Sequence, residues 1–221
     1  LQIRRAVGFK LARTELLLAF RQGEQLIVSI GVPLGILVFF SKVDAVNTTY
    51  KEPVDFLVPG VLALAVMSSA MVSLGIATGY ERRYGVLKRL GSTPLSRAGL
   101  LSAKTLNVLA LEVVQAIVIV LTGVALGWNA TGGLVAAIAL LLVGTVAFAG
   151  IGMLLAGTLR AEANLAVANG LFLVLLFLGG MAYPLAKLPD AVEAVAKLLP
   201  AAALSETVRA ALTPGRAFPV G

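Results

Sequence analysis

Neither cysteine nor histidine occurs in the 221 residues. Their absence excludes disulfides, thiolate chemistry, the usual zinc sites and imidazole acid–base catalysis. Charge is scarce as well, at 13% of residues against roughly 25% in soluble domains. No G-x-x-x-x-G-K-[ST] phosphate loop, no G-x-S-x-G elbow and no acidic cluster at metal-ligand spacing can be found. A chain so equipped has no recognisable means of hydrolysing ATP or of acting alone as an enzyme, and no cofactor of its own is expected.

What the chain does have is apolar length. Hydrophobic residues make up 59% and the mean hydropathy is +0.97, well beyond the soluble average. Five runs are long enough to cross a bilayer as helices: Gln25 to Ser41, Val54 to Gly79, Leu101 to Gly127, Leu134 to Leu159 and Leu165 to Tyr183. The first is the shortest and contains Pro33, which is expected to kink it. The expected fold is therefore an all-α polytopic membrane protein, a single domain over residues 1–221. The net charge of +7 lies between apolar runs and not along a soluble face, so it points to membrane topology and not to nucleic acid.

Lysine and arginine set the orientation. Arg4, Arg5, Lys10, Arg13 and Arg21 precede span one, and Arg82, Arg83, Lys88, Arg89, Arg97 and Lys104 separate spans two and three. Both segments are expected in the cytoplasm, with the N-terminus inside. Trp128 and Tyr183 then fall at the outer interface, Tyr80 and Tyr84 at the inner one. Residues 1–23 place Ile3, Val7, Leu11 and Leu18 on one stripe, as in a helix lying on the inner membrane surface; a basic tail that only enforces topology is the plainer reading. Beyond Tyr183, Pro184, Pro189 and Pro200 mark off two stretches, Ala191 to Leu199 and Ala201 to Leu212, too short to span and expected at the outer surface or part-way in.

The loop between spans two and three carries the most information. From Tyr80 to Gly91, Val86, Leu87 and Leu90 share one face while Arg82, Arg83, Lys88 and Arg89 lie elsewhere, which predicts a short amphipathic helix. Gly91 ends it, and Thr93-Pro94 supplies a cap and first-turn proline for the next helix.

This run, E-R-R-Y-G-V-L-K-R-L-G-S-T-P-L-S-R leading to Lys104, resembles the cytoplasmic signature of ABC-2 type transporter permeases, the membrane subunits of bacterial multidrug and daunorubicin-resistance exporters. Glu81, Gly85, Leu87, Leu90, Thr93, Pro94 and Lys104 follow in order. Tyr183-Pro184, Leu188-Pro189, Pro200, Glu206 and Arg209 are similar to the family's external re-entrant segment. The resemblance implies a multi-pass protein of the bacterial plasma membrane with a sixth span beyond Gly221. It also implies a second, identical or similar permease chain and a separate ATP-binding subunit in two copies that holds ATP and magnesium. The loop helix becomes a coupling helix: Arg82, Arg83, Lys88 and Arg89 would meet acidic groups of the ATPase, and Val86, Leu87 and Leu90 would pack into its surface. The same charges would also suit anionic lipid headgroups.

Inside the spans, Glu112 is the acidic residue set deepest, roughly 12 Å beyond Lys104 at helical rise. It is read either as a cation or proton site or as a hydrogen-bond partner of Gln115, Asn107 or a neighbouring helix. Met67, Ser68 and Met71 in span two, with Phe172 and Phe177 in span five, are expected to line a substrate path, with helix packing or lipid contact as the alternative for each. The G-x-x-x-G matches at Gly31, Gly75 and Gly123 are read as packing. The leading expectation is export of drug-like or lipid-like compounds by alternating access. A proton-coupled transporter using Glu112 and a non-transporting scaffold are the alternatives, although no repeated half of the kind common in proton-coupled transporters is visible.

Overall fold

Apolar helices in lipid must satisfy their backbone internally, and in the computed structural model every regular element is helical among the described residues, which are 23–42, 53–86, 97–129 and 132–212. Span one is α1 (Gly23–Lys42). Span two runs unbroken from Pro53 to Arg83, as α2 (Pro53–Val66), a π-helical segment (Met67–Ser73) and α3 (Leu74–Arg83). Spans three, four and five are α4 (Arg97–Ala125), α5 (Leu134–Thr158) and α6 (Ala161–Leu178). A short 3₁₀ turn at Leu185–Lys187, then α7 (Asp190–Lys197) and α8 (Pro200–Leu212), complete the described chain. The amphipathic N-terminus lies outside the described residues.

The five expected spans are present, with shifted ends. Among the described residues four are long and apolar enough to cross a membrane, and α1, with 20 residues, stands at the first. Neither Pro33 nor Pro59 stops its helix. Span five begins at Ala161, four residues earlier than expected, and stops at Leu178 instead of Tyr183. Gly180 follows in a positive-φ conformation (63°) that reverses the chain, and a Cβ at Gly179 would lie 2.9 Å from Ala201.

Span two forms the centre. Of its most apolar stretch, 83% is buried against protein, compared with 22% for each of spans three, four and five. Glycine permits this packing. A Cβ at Gly152 would sit 2.6 Å from the Met71 carbonyl oxygen, so spans two and four meet backbone to backbone, and one at Gly60 only 2.2 Å from that of Met181, in the segment that follows span five. Gly75, Gly79 and Gly123 are likewise filled by neighbours, whereas Gly31 and Gly35 have nothing within 4 Å. The outward faces of spans three to five carry exposed Val113, Ile117, Leu121, Val135, Val146 and Leu173, an apolar surface suited to lipid.

The segment after span five returns into the bundle. Gly133 N–H donates to the Ala211 carbonyl (2.8 Å), so α8 ends level with the start of span four. Leu204 fills the space beside Gly144, about 15 Å further along that span. α8 thus packs along span four between its first residues and Gly144. Trp128, just beyond the end of span three, is buried beside Gly123 with only 6% exposure.

Candidate functional site

The last turn of span two carries three charged residues in succession, and each reaches a different span. Lys104 Nζ of span three lies 2.6 Å from Glu81 Oε2. Arg82 donates to the carbonyl oxygens of Gly157 and Leu159 at the end of span four. Arg83 pairs with Glu162 in the first turn of span five. The arrangement suits helix electrostatics. The final carbonyls of a helix lack intrahelical donors and carry partial negative charge, so the Arg82 guanidinium satisfies them. Glu162 stands at the opposite pole, a helix N-terminus that favours an anion.

Gly85, at φ 69°, ends the helix in the left-handed conformation that a side chain would strain. Its N–H donates to the Arg82 carbonyl (3.2 Å), as Tyr84 N–H does to that of Tyr80 (2.9 Å). The expected amphipathic helix from Tyr80 to Gly91 is thus interrupted: Tyr80 to Arg83 belong to span two. Tyr80 and Tyr84 stack with ring centroids 6.1 Å apart. Arg82 and Arg83, expected to meet acidic groups of another subunit, are engaged within the chain. Val86 is exposed, while Leu87, Lys88, Arg89, Leu90, Gly91, Thr93 and Pro94 lie outside the described residues.

A second polar cluster lies deep between the spans. Ser69 Oγ of the π segment donates to Glu112 Oε1 (3.0 Å) and Thr145 Oγ1 of span four to Glu112 Oε2 (2.7 Å). One carboxyl group therefore joins spans two, three and four. One turn on, Gln115 Nε2 donates to the Ser29 carbonyl of span one (3.0 Å). Of the readings open to Glu112, the structure provides hydrogen bonds to neighbouring helices. Nearer the C-terminal end of span two, Asn164 Nδ2 of span five donates to the Gly75 carbonyl (2.8 Å).

Met67 and Met71, expected on a substrate path, are fully buried in the chain's own core; they fill the space around the π segment. Ser68 is half-buried and bonds back to the Ala65 carbonyl (3.0 Å). Phe172 packs against the core and Phe177 points outward, 66% exposed. The structure does not bring these five residues into one cavity within the chain. Sequence reasoning singled out Glu81, Lys104, Glu112, Glu206 and Arg209 but not Ser69 or Thr145, because serine and threonine in apolar helices often bond only to their own backbone. Among the described residues no group of acidic side chains is placed to hold a metal.

No curated relative matches the chain. The family model of the ABC-2 type transporters matches residues 9–213, a span that takes in the clamped C-terminal end of span two, the buried cluster and the returning α8, and the chain belongs to that family.

Proposed function

We propose that this permease component of an ABC transporter exports hydrophobic or amphipathic compounds, drug-like or lipid-like, across a bacterial plasma membrane, driven by a separate ATP-binding subunit docked on the loop after Gly85. The observation that carries the reading is the triple clamp at the inner end of span two. A push on the 84–104 segment is delivered through Glu81, Arg82 and Arg83 to spans three, four and five together. ATP and magnesium belong to the partner, and Lys88, Arg89, Leu87 and Leu90, with Thr93 and Pro94, are the residues proposed to engage it. Of the residues proposed for the cargo path, Ser68, Phe172 and Phe177 retain exposed surface, whereas Met67, Met71 and Glu112 are buried and serve the packing around it. A second permease chain completes the cavity.

The test is co-reconstitution of the full chain and its co-purifying ATPase into inverted vesicles, with daunorubicin and a fluorescent phosphatidylethanolamine as probes. ATP-dependent accumulation of either probe, abolished by Lys88→Glu with Arg89→Glu while the chain stays folded, is the expected result. Flux that follows a proton gradient without ATP overturns the reading.

A further inference from the structure

Span two is held at both ends and irregular between them. Near its outer end the Phe56 carbonyl accepts a hydrogen bond from Arg209 (3.4 Å) and Gly60 lies against the Met181 backbone. Its inner end is clamped to three spans. Between these anchors, Met67–Ser73 is π-helical. A π turn accommodates one extra residue in an α-helix and loosens the ladder where it sits.

Glu112 closes on this loosened stretch through Ser69, and on span four through Thr145. Both hydroxyls have a second acceptor at hand. Ser69 Oγ lies 3.0 Å from the Ala65 carbonyl oxygen and Thr145 Oγ1 3.0 Å from that of Leu141. Each can therefore leave the carboxyl group and remain hydrogen-bonded, so the contact opens without stranding a hydroxyl in an apolar surrounding. Where span four meets the π segment, bare Gly152 faces the Met71 and Ala70 carbonyls.

We propose that Glu112 is a positioning residue of the transport cycle. It holds the π turn of span two at Met67–Ser73, and its release lets that turn migrate. Each residue the turn passes is re-aimed about the helix axis, so the half-buried Ser68, Val72 and Ser73 change the surface they present while both anchored ends keep their partners. This inference rests on the exporter reading.

The experiment uses the full chain with its ATPase in vesicles and measures probe moved and ATP hydrolysed in the same sample. Deleting Val72 removes the extra residue and restores a plain α-helix with both ends in phase. The expected result is ATP hydrolysis within about twofold of wild type and transport per ATP at least tenfold lower, a change of about 1.4 kcal/mol in the coupled step. Glu112→Leu is expected to behave alike and Glu112→Gln, which keeps an acceptor, to fall between. Transport per ATP equal to wild type in the deletion and in Glu112→Leu overturns the proposal. A second measurement decides should either variant fail to fold. The chain lacks cysteine, so Ser68→Cys, Val72→Cys and Ala77→Cys each give a single labelling site for a methanethiosulfonate reagent. ATP is expected to change labelling at Ser68→Cys and Val72→Cys but not at Ala77→Cys. No change, or an equal change at all three, overturns the proposal, because a rigid tilt moves them together. A wild-type complex without ATP-driven transport overturns the exporter reading itself.

Discussion

Arg209 shows how one residue ties the re-entrant segment to the bundle. The residue is 1% exposed, and its guanidinium donates to the Gly180 carbonyl (2.7 Å), pairs with Glu206 Oε1 (2.5 Å) and lies 3.9 Å from the Phe56 ring centroid. A buried charge persists only where pairing and hydrogen bonds replace water, and the planar fork allows all three contacts at once. Arg209→Ala is expected to lower stability by about 3 kcal/mol, since hydrogen bonds to charged groups contribute roughly 1.5–3 kcal/mol each and a backbone carbonyl is left unpaired. Arg209→Lys, a point charge without the fork, is expected to recover less than half of that loss. Thermal unfolding of the detergent-solubilised chain reads both. The sequence contained Glu206 and Arg209 at helical spacing, so their pairing was within reach. The contacts to Phe56 and Gly180 were not, because they join positions far apart in the chain.

At the scale of elements, the spans were legible because membrane helices are announced by composition and length alone. Their ends were less so. Span two extends to Arg83 because its terminal charges find partners on neighbouring helices, which hydropathy does not register. The π segment was invisible: Met-Ser-Ser-Ala-Met-Val-Ser reads as ordinary apolar helix, and only packing against Gly152 and Glu112 distinguishes it. Gly152 supplies the element-scale prediction. With a Cβ forced to 2.6 Å from a backbone oxygen, Gly152→Ala must separate spans two and four, and overpacking of this kind costs about 1–3 kcal/mol. Gly150→Ala, with nothing within 4 Å, is the control and is expected to leave the unfolding midpoint unchanged.

For the whole molecule, the clamp at the C-terminal end of span two gathers spans three, four and five on one helix end, and on the proposed coupling these spans would answer the loop as one body. The Glu81–Lys104 pair is the member best suited to a test. Its side chains are 32% and 11% exposed, so solvent screens it in part and the pair contributes on the order of 1 kcal/mol to stability. Reversing one charge sets like charges together at the root of the loop, and Glu81→Lys or Lys104→Glu alone is expected to lower both stability and ATP-driven transport. The double swap restores attraction in the same place. If the pair transmits the stroke, the swap recovers transport along with stability, and the interaction energy from the double-mutant cycle appears in both readouts. Recovery of stability without transport would mean that attraction between the two positions is not enough, and that transport needs a carboxylate at Glu81 or an ammonium at Lys104 for a contact beyond the pair.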